Sequence, residues 1–150
     1  MDDVDLRILR EIQANPELPL TELAPVVGLS QTPCWRRIKK LEQQGVIKGR
    51  TVMLDPAALG LTVNVFAHIR LTSHREETLE ALERAVEEHP EIIECFSMSG
   101  ESDYMLRILS PSIEAYEHYL KRKLSHLPGI ASINSSFALK CVKDTRMLPF

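Results

Sequence analysis

The apolar residues of this chain change their period near residue 60, which limits the fold to a helical part followed by a mixed one. Before that point they recur at helical spacing. After it, Val63, Val65, Ala67, Ile69 and Leu71 alternate with Asn64, Phe66, His68 and Arg70, the period of a strand with one apolar face. Between the two regimes lies LDPAALGLT, punctuated by Pro56 and Gly60. The expected organisation is therefore a helical domain over residues 1–60, including the linker, and a mixed domain over 61–150.

In the first part, Val4, Ile8, Leu9 and Ile12 form one helical stripe, and Leu20, Leu23, Val26 and Val27 form a shorter one. A third helix follows Gly28. Ser30 is its expected N-cap, Pro33 falls in a first turn where its missing N–H is harmless, and Gly45 ends it. At about 100° per residue, Cys34, Ile38 and Leu41 cluster on one side of this helix. Thr32, Arg36, Lys39 and Lys40 lie opposite, with Trp35 and Arg37 on the flanks. A lone basic helix is usually only a solvated face. Here it is the third of three short helices, preceded by a glycine turn, and that order predicts a helix-turn-helix reader of double-stranded DNA. In such a reader Thr32, Arg36 and Lys39 enter the major groove, while Trp35, Arg37, Lys40 and Arg50 position the phosphate backbone. VIKGRTVML reads as two short strands around Lys48, Gly49 and Arg50, a wing beside the third helix. Pro25 removes one helical bond to Thr21, so the second helix is expected to be short or bent.

The formal net charge of −3 does not oppose DNA binding, because its distribution is uneven. Residues 31–50 hold six cations and one acid, a window of +5, leaving −8 for the rest. An acidic body with one basic face disfavours indiscriminate polyanion coating. No apolar run approaches the length of a bilayer, and the first residues lack a signal-peptide layout, so a cytoplasmic protein with no membrane partner is expected. Cys34, Cys95 and Cys141 are far apart and odd in number, which predicts neither a disulfide framework nor a metal site. The five histidines fall on different elements, and no catalytic motif such as G-x-S-x-G, H-E-x-x-H or a P-loop occurs, so no enzymatic activity and no cofactor are expected.

Beyond the first strand, REETLEALERAVEEH is helical through Leu79, Leu82 and Val86. IIECFSMS and YMLRIL are strands separated by the turn residues 100–103, and Ile113, Tyr116, Leu120 and Leu124 mark a second helix. A last strand runs from about Ile130 to Leu139. The order βαββαβ predicts an α+β chain: a winged helix-turn-helix domain followed by a ferredoxin-like domain, whose sheet carries both helices on one face. The other face is expected to carry apolar side chains covered by a second copy, giving at least a homodimer whose two heads meet a roughly palindromic operator.

The run GLSQTPCWRRIKKLEQQGVIKG, then LDPAALGL, SGESDYMLR and LPGIASINSSFALKCVK, closely resembles the Lrp/AsnC family of bacterial and archaeal regulators. The T-P-C of the third helix and the S-G-x-x-D-Y between two strands are its most specific parts. The resemblance implies a sensing domain that binds a small effector, an amino acid, between subunits and that often assembles into octamers. It also implies that Gln31, standing where a proline is common, alters base preference. The family's effector region falls on the 97–104 loop with Met98, Gly100 and Asp103, on the start of the second helix near Ile113, and on the last strand around Asn134 to Ala138, which includes Ser136. Asp103 is suited to accept from an ammonium group, Gly100 and Ser136 to donate to a carboxylate, and Met98 or Ile113 to line a side-chain pocket. Two other readings stand beside this one: an architectural DNA-coating protein, and an enzyme or metabolite carrier fused to a helical domain.

Overall fold

The computed structural model describes residues 1–150 and divides into two compact units. The first contains Met1–Met53 together with Lys143–Phe150; the second contains Leu54–Val142. The expected boundary near residue 60 thus moves to residue 53, and the last eight residues belong with the helices. Hydrogen bonds explain this return. The Gln13 amide donates to Leu148 O at 3.0 Å and accepts from Leu148 N–H at 2.9 Å, and Arg10 Nε donates to Phe150 O at 2.9 Å. Pairing between residues more than a hundred positions apart leaves no local sequence period.

Three helices build the first unit: α1 (Asp3–Ala14), α2 (Leu20–Val26) and α3 (Gln31–Gln43). Asp2 caps α1 by accepting from the N–H groups of Val4 and Asp5, while Asp5 accepts from Asp2 N–H, a reciprocal capping box. Helix α2 is short, as expected, with seven residues and Pro19 at its N-cap without a side-chain bond, but it runs through Pro25 to Val26. Gly28 adopts φ +74°, a left-handed turn that lets Leu29 N–H reach Ala24 O at 2.9 Å and releases the chain toward α3. The core comprises Ile8, Leu23, Ala24, Val27, Cys34, Ile38 and Leu41. Val26 departs from its expected stripe and is exposed, because the buried face of α2 follows Leu20, Leu23, Ala24 and Val27 at helical spacing. The expected wing strands do not form. Residues 46–53 are irregular, and with Val52 and Met53 largely exposed there is no buried face to fix a hairpin register.

The second unit follows the expected order: β1 (Val63–Leu71), α4 (Glu76–Glu87), β2 (Ile92–Ser97), β3 (Tyr104–Ser110), α5 (Ile113–Arg122) and β4 (Ile130–Phe137). The strands lie in the order β2-β3-β1-β4, and each neighbouring pair is antiparallel. Val65, Ala67, Ile69, Leu106 and Ile108 project to the covered face and pack on Leu82 and Val86 of α4 and on Tyr116 and Tyr119 of α5. Full burial of each such aliphatic side chain contributes about 1.5–3 kcal/mol. Helix α5 stops at Arg122 rather than reaching Leu124, which is nevertheless fully buried from a single 3-10 turn. The opposite face is uncovered and mixed. Phe66, Met105, Leu109 and Phe96 give it an apolar half, whereas Ser132, Asn134 and Ser136 make its β4 edge polar, so the expected apolar character holds for only part of it.

Candidate functional site

Helix α3 turns Cys34, Ile38 and Leu41 into the core, which leaves Gln31, Thr32, Trp35, Arg36, Lys39 and Lys40 on the exposed side. Ser30 occupies the N-cap position with extended backbone, but its hydroxyl makes no capping bond. The cations differ in how they are engaged. Arg36, Lys40, Lys48 and Arg50 have no ion-pair partner, and Lys39 meets Glu42 one turn on at 2.6 Å, an exposed pair that adds little stability.

Arg37 is occupied in a different way. Its Nη1 donates to Asp2 Oδ2 at 2.8 Å and to Asp5 Oδ1 at 2.7 Å, fastening α3 to the first turn of α1. Hydrogen bonds from the Asp5 backbone and from Arg37 hold the Asp2 carboxyl below its ordinary range. At Asp5 burial opposes ionisation, yet the bonds from Arg37 and from Asp2 N–H outweigh it. The two aspartates in turn raise the Arg37 pKa. Arg37, expected on the phosphate backbone, braces α3 against α1 through Nη1. Its position on the flank of the wheel gave the hint; the aspartates that claim it could be found only in three dimensions.

A second constellation lies on the open face of the sheet. His68 and Arg70 of β1, Glu101 and Ser102 of the β2–β3 loop, and Ser132, Asn134 and Ser136 of β4 line a polar cavity of about 470 Å³. Arg70 Nε donates to Glu101 O at 2.6 Å, and His68 Nδ1 lies 3.4 Å from Ser102 Oγ. Of the expected effector residues, Asn134 and Ser136 line this cavity, and Gly100, at φ +126°, shapes the adjoining loop. The Asp103 carboxylate is already engaged within the chain: Oδ2 accepts from Leu71 N–H and Oδ1 meets His74 Nε2, both at 2.7 Å. The Leu71 N–H bond, followed by His74, keeps this carboxyl below its ordinary range. Met98 is tied by its N–H to Asp103 O and lies outside the cavity lining, with an exposed side chain. Ile113 opens α5 on the helix-covered side of the sheet, away from Asn134 and Ser136, so within one chain the six residues do not line a single cavity. Glu101 and Ser102 fall in the loop expected to hold effector, whereas His68, Arg70 and Ser132 are not among the expected residues, although the polar alternation of β1 already places His68 and Arg70 together on one face.

Known proteins share this arrangement. Residues 64–148 match the sequence profile of the Lrp/AsnC ligand binding domain, and residues 1–48 match that of a winged helix-turn-helix DNA-binding domain. The chain belongs to the Lrp/AsnC family. The proline dehydrogenase transcriptional activator of Rhodobacter capsulatus is 42% identical over 96% of this chain and 94% of its own length. A crystal structure of an AsnC family transcriptional regulator from Agrobacterium tumefaciens superposes with a TM-score of 0.92 at 44% identity, covering 99% of this chain and 97% of that one. A Neisseria meningitidis transcriptional regulator solved in complex with L-Met gives 0.91 at 32% identity, covering 99% and 96%. This Lrp/AsnC chain is a DNA-binding regulator of transcription, with its reading helix in the first unit and its ligand-binding fold in the second.

Proposed function

We propose that the protein is an effector-gated, sequence-selective regulator that acts as a dimer or higher oligomer. The observation that carries this is the outward side of α3, where Thr32, Arg36 and Lys40 are exposed while the aspartates of α1 hold the helix in place through Arg37. Thr32 and Arg36 read base edges, with Gln31 at the entry of the groove and Lys39 exchanging its weak pair with Glu42 for DNA. Trp35, Lys40 and Arg50 contact the backbone.

The polar cavity supplies the effector site. Arg70, Asn134 and Ser136 suit a carboxylate, and the Glu101 side chain suits an ammonium group, the two ends of an amino acid. The L-Met complex of the Neisseria relative supports that class of ligand. A second copy seated on the apolar half of the open face, around Phe66, Met105 and Leu109, completes a dimer in which Glu94 and Arg107, 3.5 Å apart, help to fix the register. Two heads then meet half-sites roughly one helical turn, about 34 Å, apart or a multiple of that. Effector binding shifts the assembly by its differential affinity for two arrangements of the subunits.

The test is binding of the purified protein to genomic fragments at fixed salt, repeated with a panel of free amino acids that includes methionine and cysteine. Discrete sites whose occupancy changes with one amino acid, and lose that response in Asn134→Ala, are expected. Uniform coating that ignores every amino acid would overturn the reading in favour of an architectural role.

A further inference from the structure

The chain passes between its two units twice, once near residue 53 and again near residue 143. The second passage starts at the effector cavity. Ser132, Asn134 and Ser136 of β4 line that cavity, and the pairing with β1 ends where Ala138 N–H donates to Asn64 O at 2.9 Å. Leu139 to Val142 follow as an exposed connector, which can span at most about 3.6 Å per residue. Lys143–Phe150 then join the first unit as a strap on the C-terminal half of α1.

This strap is held at the surface. The Gln13 carboxamide exchanges two hydrogen bonds with the Leu148 backbone, Arg10 Nε donates to Phe150 O, and the Arg10 guanidinium lies 5.7 Å from the Phe150 ring centroid. Met147 and Leu148 remain exposed, no strap residue enters the core of the head, and a cavity of about 530 Å³ lies among the strap, α1 and residues 46–51. The strap is thus pinned at a few points rather than packed along its length, and it can leave α1 without opening the core. The first turn of the same helix holds the reading helix, because Asp2 and Asp5 grip Arg37 of α3 at 2.8 and 2.7 Å. One helix therefore carries the strap at one end and the brace to α3 at the other.

We propose that the strap is an effector-responsive latch: its docking on Arg10 and Gln13 relays occupancy of the cavity on β4 through α1 and Arg37 to α3. The inference rests on the effector reading above. Docked and released strap are the two states, and an effector on Asn134 and Ser136 shifts their balance by binding one more tightly than the other.

A flexible Gly-Ser segment inserted between Val142 and Lys143 of the full-length protein tests the relay, because it gives the connector slack while leaving strap, cavity and α3 intact. Operator affinity is measured with and without each free L-amino acid, methionine and cysteine included, and amino-acid binding is followed by titration calorimetry. The wild-type response, about fivefold or more, is expected to fall below about twofold in the insertion variant while the amino acid still binds. Arg10→Ala/Gln13→Ala, which removes all three strap hydrogen bonds, is expected to lose the response in the same way. In the wild type, exchange of the Leu148 amide proton, which Gln13 holds, is expected to change with the same amino acid. A wild-type response that survives both variants, or Leu148 exchange indifferent to the amino acid, overturns the latch and leaves the effector reading standing. Equal weakening of operator binding with and without the amino acid marks the strap as merely structural and overturns the latch too. A wild type indifferent to every amino acid overturns the effector reading and the latch with it. Should the insertion variant misfold by circular dichroism, the double variant and the exchange measurement decide.

Discussion

The two units solve the problem of stability differently. The sensing unit buries thirteen side chains between a four-stranded sheet and two helices, whereas the reading head buries seven among three short helices. A core so small leaves more to the surface. The head adds a charged brace from Arg37 to Asp2 and Asp5, and a peptide strap from the far end of the chain to α1. Its most informative surface contacts are therefore structural as well as electrostatic, and an exposed cation on the reading helix is not automatically a DNA contact.

Truncating each core gives the largest contrast. Leu41→Ala and Leu106→Ala are each expected to cost about 2–5 kcal/mol. The head has less to lose, so Leu41→Ala should unfold it while the sensing unit persists. Trp35, the sole tryptophan, reports on the head, and all three tyrosines lie in the sensing unit, so fluorescence from the two residue types follows the transitions separately in urea. A single shared transition in Leu41→Ala would erase the distinction.

The brace predicts a smaller effect with a specific signature. Arg37→Ala should weaken operator binding while leaving the salt dependence of affinity unchanged, because no phosphate contact is lost. Lys40→Ala should reduce the slope of log affinity against log salt by about one unit. If Arg37→Ala also lowers the slope, Arg37 touches DNA after all.

Extremes of pH separate the units again. Tyr104 donates to Glu83 at 2.6 Å, and burial, followed by that bond, pushes its pKa from 10.0 to about 12. A raised folded pKa stabilises below the ordinary value, so the sensing unit should lose this contribution as pH climbs from 10 through about 12; burial raises Tyr116 and Tyr119 as well. Tyrosine absorbance titrated alongside circular dichroism measures it, and ordinary ionisation without loss of structure would contradict it. The signs reverse for Asp2 and Asp5, whose depressed values stabilise the brace above the usual carboxylate range and release it as pH falls below. The smallest effect is expected from Gln13→Ala, a slight fall in the head's unfolding midpoint with the sensing unit unmoved.

Local rules carried most of the fold. The alternation from Val63 to Leu71 and the helical spacing of Cys34, Ile38 and Leu41 each predicted a buried face that the structure contains, because both periods are written within a few residues. What escaped depends on partners distant in sequence. Nothing near Arg37 announces Asp2 and Asp5. Asp103 looked like a free acceptor until β1 supplied Leu71 N–H and the following turn supplied His74. Asn134 and Ser136 share a cavity with Arg70 only because β4 pairs with β1. The wing failed for the opposite reason: Lys48, Gly49 and Arg50 allow a turn, but Val52 and Met53 have no buried surface against which to hold a strand.

The strap from Lys143 to Phe150 also bears on how such a protein can be taken apart and rebuilt. A head defined by residues 1–53 is not a self-contained cassette, since its first helix is completed by a peptide encoded ninety codons downstream. Chimeras that exchange reading heads between relatives therefore need two junctions, one near residue 53 and one near residue 143.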